Sequence, residues 1–130
     1  MFDVQVARHR SAPVVPEEVL GSIAAYYRRV TITASPMGRL VALVMLVLLA
    51  GLVAQAVDGD VPTYVSIISI AFAVEATGLA VIRVFGDARR LGARTDSIEG
   101  QSRLARRILD AHVVCIMLMT LVLAIQFIGA

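Results

Sequence analysis

The chain has 130 residues, 58% of them hydrophobic, and a mean hydropathy of +0.82. Because a soluble domain is roughly 45–50% apolar, this composition favours a membrane protein. The net charge is +2 and every basic residue is arginine, a pattern typical of arginines kept at a membrane face, so nucleic acid is not an expected partner. The single cysteine, Cys115, excludes a disulfide within the chain and a cysteine metal cluster.

Apolar residues are concentrated in three blocks, at 40–57, 64–85 and 112–130. Each approaches the roughly 20 residues that an α-helix needs to cross the hydrocarbon core of a bilayer. We therefore predict an all-α integral membrane protein with three transmembrane helices. A short external turn at 58–63 and a basic cytoplasmic helical hairpin at 86–111 join them. These spans leave too little chain for a separate soluble domain.

The arginines predict the direction in which the chain crosses the membrane. All twelve precede the first apolar block, lie near the end of the second (Arg83) or lie between the second and the third, whereas 58–63 has two acids and no base. Positive charge is retained in the cytoplasm during insertion, which predicts an N-in, C-out topology. Arginine in place of lysine, with abundant Ala, Val and Gly, is typical of a GC-rich bacterial genome. We therefore expect a multi-pass protein of the bacterial cytoplasmic (inner) membrane.

The cytoplasmic arm, residues 1–39, contains one periodic segment. Residues 1–15 show no sustained periodicity and are predicted to be flexible or bound to a partner. Apolar residues that include Leu20 and Ile23 then recur at helical spacing, so we predict an amphipathic helix over 16–30 in the membrane interface. Docking of this apolar stripe onto a partner protein is an equally good interpretation.

The basic connection is predicted to extend the second helix as far as Leu91 and then to begin a long third helix. Asp96 occupies an N-cap position with Glu99 three residues later, which is the spacing of a capping box. No proline follows Ser97, so the helix from there onward is expected to be roughly 45–50 Å long. The arginines expected to bind lipid headgroups or a partner are Arg28, Arg29, Arg89, Arg90, Arg94, Arg103, Arg106 and Arg107.

The second helix has one face of small residues. Small side chains at helical spacing let two helices approach closely in lipid. We therefore expect helix packing, and the docking of a partner subunit, through this face, which comprises Ser69, Ala73, Ala76 and Ala80. Gly78, on a neighbouring face, is a further small packing residue.

Glu75 is the one ionisable residue in the interior of an apolar block, about 12 Å before Arg83 by helical rise. Placing a carboxylate there costs on the order of 2.5–3.5 kcal/mol, and intramembrane acids are commonly functional. Counted from His112, Thr120 lies at matching depth on the third helix, which suggests an interhelical hydrogen bond with Glu75. Two interpretations stay open, namely proton or ion handling and structural pairing between helices or subunits.

The run AVEATGLA at 73–80, followed by Arg83, resembles the glutamate-bearing helix of the smallest proton-translocating subunit of respiratory complex I. The resemblance implies a proton pathway in which Glu75 takes part. In that family the glycine falls one position later and a neighbouring helix carries a second glutamate. The first helix here carries no glutamate, and a further span follows, so the resemblance is confined to this one helix.

The recognisable features are contact surfaces, without a nucleophile–base pair, a phosphate-binding loop or a metal site. We expect no enzymatic activity and no cofactor. The expected function is that of a small accessory or assembly subunit of a larger bacterial membrane complex, such as a respiratory or other energy-transducing one. Its partners would be other membrane subunits and anionic lipids, in a hetero-complex or a homo-oligomer. The alternatives are a homo-oligomeric proton or cation channel that uses Glu75, and a membrane-surface scaffold built on the helix at 16–30.

Overall fold

The computed structural model describes residues 2–33 and 36–129, and this part of the chain is helical without a strand. Two π-helical segments, Arg28–Thr33 and Ala80–Val84, directly follow α-helices. The α-helices are α1 (Phe2–Arg8), α2 (Glu17–Tyr27), α3 (Pro36–Asp58), α4 (Thr63–Leu79), α5 (Phe85–Ala93) and α6 (Ile98–Gly129).

Three helices are long and apolar enough to cross a membrane, which confirms the prediction of an all-α chain with three membrane-length helices. They are Gly38–Asp58, Thr63–Ala93 and Ile98–Gly129, with hydropathies of 2.7, 2.1 and 2.4. The second is continuous, because α4 passes through the π-helical segment Ala80–Val84 into α5 without a turn. It ends at Ala93, two residues beyond the predicted limit at Leu91.

The apolar helices pack with α4 as the shared element. Helix α4 contacts both α3 and α6, and a small core joins Leu52 of α3, Ala73 of α4 and Val122 of α6. Only 6% of the apolar window of α3 is buried, compared with 28% in each of the other two helices. The first helix is therefore attached along one side and leaves most of its surface exposed.

The polar end of the molecule has a hydrophobic core of its own. We call this part the cap, and it comprises α1, α2, α5 and the first half of α6. Leu20 of α2 and Leu91 of α5 are fully buried in it, together with Val15, which precedes α2. The sequence did not predict this core, in which short helices bury their apolar faces against the extension of α6 beyond its apolar part.

The N-terminal segment is held on α6 by polar contacts. Arg10 pairs with Asp110 at 2.7 Å, the carbonyl oxygen of Ala12 accepts from Arg106, and the Val15 nitrogen donates to Ser102 Oγ at 3.1 Å. Residues 4–15 are therefore packed against the chain itself and are not a flexible arm. Likewise, Leu20 and Ile23 of the apolar stripe of α2 are buried in the core of the cap.

The turn between α5 and α6 differs in detail from its prediction. Arg94 adopts a left-handed conformation with φ of 54°, which ends α5. Ser97 caps α6, because its Oγ accepts from the Gly100 nitrogen at 3.2 Å. Asp96, predicted to be the N-cap residue of this helix, instead accepts a hydrogen bond from Arg90 at 2.8 Å. Helix α6 has 32 residues, about 48 Å by helical rise.

Candidate functional site

A groove runs between the second apolar helix and α6. We call this groove the α4–α6 groove, and its volume is about 570 Å³. One wall comes from the end of α4 and the π-helical segment after it, and the other from the middle of α6. The lining residues are Glu75, Gly78, Leu79, Ile82, Arg83, Arg107, Asp110, Ala111 and Val114.

Small residues and a widened helical turn account for the opening. A Cβ at Gly78 would have no atom within 4 Å, so the helices stand apart at this position. The π-helical segment Ala80–Val84 follows directly, and such i→i+5 turns inside α-helices frequently lie at functional sites. The groove is apolar along Leu79, Ile82 and Val114, and it carries charged side chains at both ends. It can therefore hold an amphipathic molecule or segment.

Glu75 lies at the deep end of the groove with an exposed side chain. Two contacts fix the register of the antiparallel helices here: Gln126 donates to Ser69 Oγ at 3.1 Å, and Cys115 Sγ lies 3.6 Å from the Ala76 carbonyl oxygen. Counted from these two contacts, Glu75 lies at a depth between those of Cys115 and Thr120 on α6.

The hydrogen bond expected between Glu75 and Thr120 is not among those of the described residues. Thr120 is exposed, and its Oγ1 donates to the Ile116 carbonyl oxygen of its own helix at 2.8 Å. This is the usual bond of a threonine within a helix, to the carbonyl four residues earlier. The structure thus leaves Glu75 without a partner in the described part of the chain.

The small-residue face of α4 packs against α6. Ser69, Ala73 and Ala76 are all buried, and Ala80, where the π-helical segment begins, is half-buried. The expectation that this face docks a partner subunit is therefore corrected, since the third helix of the same chain already occupies it. The sequence indicates that Gln126, near the outer end of the third helix, is an interfacial hydrogen-bonding residue, and the structure identifies Ser69 as its partner. The position of Gln126 opposite Ser69 on an antiparallel helix is the signal that would have revealed this partner.

Several of the arginines predicted to bind lipid or a partner instead hold the cap together. Arg107 pairs with the buried Asp87 at 3.2 Å, and the other engaged arginines contact acids or a carbonyl of the cap. These contacts are Arg90–Asp96, Arg94–Glu17 and Arg106 with the Ala12 carbonyl oxygen. Of the predicted set, Arg29, Arg89 and Arg103 are exposed and have no hydrogen bond or ion pair with the described residues. Arg83, which was not in the predicted set, is also exposed and without a hydrogen bond or ion pair to the described residues, and it lines the groove.

The described residues contain no cluster of three or more His, Cys, Asp or Glu side chains that could hold a metal ion. The groove offers two kinds of charged group, a carboxylate at its deep end and guanidinium groups at its other end. Comparisons with protein-family models, with curated proteins and with solved structures find no match to this chain.

Proposed function

We propose that this chain is a small, non-enzymatic assembly subunit of a larger membrane complex. The observation that carries the proposal is the exposed carboxylate of Glu75, which lies within the second apolar helix and has no hydrogen-bond partner in the described part of the chain. A partner subunit would supply the missing hydrogen-bond donor. The proposal includes an N-in, C-out topology in the bacterial inner membrane.

The energetic argument rests on the surroundings of Glu75. Hydrocarbon chains offer no hydrogen-bond donor, and a carboxylate in the bilayer interior costs on the order of 2.5–3.5 kcal/mol. The fold does not reduce this cost by burying Glu75 against α6, since the buried face of α4 is formed by Ser69, Ala73 and Ala76. A neighbouring helix with an amide, a hydroxyl or a basic side chain at this depth would reduce it.

The exposed first helix supports the same proposal. Helix α3 presents a continuous set of exposed apolar side chains, among them Leu43, Val44, Leu46 and Val47. It is held to the rest of the molecule mainly through α4. An apolar surface of this length accommodates lipid or another membrane helix, and it leaves room for a partner beside α4.

The distribution of charge supports the proposed topology. The cap contains most of the arginines, whereas the opposite end of the apolar layer has the turn with Asp58 and Asp60. The positive-inside rule then places the cap in the cytoplasm.

The proposal is tested by native mass spectrometry of the tagged protein extracted gently from its own membrane. We expect unlike subunits at a fixed ratio, retained by Glu75→Gln and lost with Glu75→Leu, because only glutamine keeps a hydrogen-bonding group. Val74→Leu is the matched control, since Val74 is an adjacent exposed residue of α4. A wild-type protein that is stable as a pure homomer, with no unlike subunit, would contradict the proposal.

A second candidate is a homo-oligomeric proton or cation pathway. The observation that favours it is that Glu75 and Asp110 line the same groove, at its deep end and towards the cap respectively. In proteoliposomes, this candidate requires a flux that Glu75→Gln abolishes and Val74→Leu leaves unchanged. A flux that survives Glu75→Gln, or no flux with the wild-type protein, counts against it.

A further inference from the structure

We propose that the end of the α4–α6 groove nearest the cap binds the phosphate group of one anionic phospholipid. Arg83 and Arg107 would hold the phosphate, and the apolar walls of the groove would contact the glycerol and the first part of an acyl chain. The inference goes beyond the proposed assembly role and does not depend on it.

The first argument is the balance of charge at this end of the groove. Asp110 is already paired with Arg10 at 2.7 Å, so the acid that lines this end is compensated within the chain. Arg83 is exposed and has no hydrogen bond or ion pair with the described residues. The uncompensated charge is therefore positive, which is complementary to an anion.

The second argument concerns the second guanidinium group. Arg107 uses its Nε towards Asp87 at 3.2 Å, and its side chain is 59% exposed. Its two terminal nitrogens have no hydrogen bond to the described residues. A guanidinium group presents several N–H donors in a fixed plane, so Asp87 can orient Arg107 while its other donors bind phosphate oxygens.

The third argument is the position and shape of the groove, which select a lipid in preference to a soluble anion. Arg83 ends the apolar run of the second helix, at the level where headgroups meet hydrocarbon. Leu79, Ile82 and Val114 continue from it as an apolar wall. The volume of about 570 Å³ lies within the roughly 300–1,000 Å³ of small-molecule sites. Basic pockets between membrane helices bind anionic headgroups in this way.

Glu75 does not compete for the same phosphate. It lies about 12 Å from Arg83 along the helix axis, at the other end of the groove. A headgroup between Arg83 and Arg107 therefore leaves Glu75 available to the partner helix of the proposed assembly.

The test measures the lipid that the full-length protein retains. The protein in detergent micelles is given phosphatidylglycerol, phosphatidylethanolamine or phosphatidylcholine, and lipid adducts are counted by native mass spectrometry. We expect one phosphatidylglycerol to be retained in preference to the other two. Arg83→Gln should lower its apparent affinity on the order of tenfold, as expected for the loss of a charge-assisted contact.

Two further variants distinguish a specific site from general attraction. Arg89→Gln removes an equally exposed arginine of the same continuous helix outside the groove, and it should leave retention unchanged. Gly78→Leu keeps every charge and fills open space in the groove, so it should lower retention without unfolding the protein. Equal losses with Arg83→Gln and Arg89→Gln, or equal retention of phosphatidylcholine, would overturn the inference. So would a photo-crosslinker at Ile82 that, in the native membrane, labels a protein and no lipid.

Discussion

Gly92 of α5 lies against the backbone of Arg28, so closely that a Cβ at Gly92 would be 2.8 Å from the Arg28 nitrogen. The same Cβ would lie 3.1 Å from the Arg28 Cα. This contact joins the start of the π-helical segment after α2 to the end of the continuous second helix. It is a backbone-to-backbone approach that no side chain can relieve by changing its rotamer.

Gly92→Ala should therefore destabilise the cap by about 1–3 kcal/mol, because an added methyl group in a packed site forces the backbones apart. Gly86→Ala is the matched control, since Gly86 is in the same helix and a Cβ there meets no atom within 4 Å. That variant should be neutral or slightly stabilising, because alanine has the higher helix propensity. Thermal unfolding in nanodiscs measures both, and equal effects would contradict the close approach.

The N-cap residue of helix α6, Ser97, gives a second prediction. Ser97→Ala removes the acceptor of the Gly100 nitrogen and should cost about 0.5–2 kcal/mol. Hydrogen exchange at the first turn of α6 should become faster, with the remainder of the helix unchanged. Thr95→Ala alters an exposed residue of the connection between α5 and α6 and should leave the exchange rate in the first turn of α6 unchanged. If the amide of Gly100 exchanges equally slowly in Ser97→Ala and in the wild type, Ser97 is not the N-cap residue of α6.

The hydrogen bond between Gln126 and Ser69 should contribute to association of α6 with α4. A double-mutant cycle of Ser69→Ala and Gln126→Leu is expected to give a coupling of about 0.6 kcal/mol, the average for such bonds between membrane helices. Thr120→Val breaks only a bond within α6, so it should show no coupling with Ser69→Ala. Unfolding by a denaturing detergent provides the measurement. Coupling of Ser69 to Thr120 and not to Gln126 would mean that the register is different.

Two ion pairs of the cap should differ in their importance. Asp87 has a side chain only 10% exposed, and Arg107→Ala should destabilise the cap by about 1–3 kcal/mol because it leaves this nearly buried carboxylate without its partner. The Arg10–Asp110 pair is more than half exposed on both sides. Asp110→Ala should therefore cost about 0–1 kcal/mol, and less at high salt. Equal costs at low salt would contradict this ranking.

Hydropathy patterning predicted the three apolar helices, most of whose residues are not buried, and missed the cap, which contains the larger hydrophobic core. The apolar blocks are long enough to be recognised from hydropathy alone, as α3 shows. The cap escaped detection because its core collects single residues, such as Val6 and Val15, from segments without periodicity. Their burial depends on which segments pack against the extension of α6, and local sequence does not reveal that packing.

Of the two charged ends of the α4–α6 groove, only the end at Glu75 could be predicted from the sequence. Glu75 is conspicuous because it interrupts an apolar run, and this alone marked it for attention. The state of each arginine could not be read in the same way, since pairing depends on which acid the fold brings near. Arg107 and Arg83 look alike in the sequence, yet only Arg107 has an acid, Asp87, within reach.

The contacts of the N-terminal segment with α6 also determine the order in which the molecule can be completed. Arg10 and Asp110 are 100 positions apart, and Val15 and Ser102 are 87 apart. At roughly 5–20 residues per second, the ribosome needs on the order of 5–20 s to supply the second partner of each contact. Val6 and Val15 are therefore synthesised well before the residues of α6 with which they share a hydrophobic core. During that interval the N-terminal segment lacks its contacts with α6.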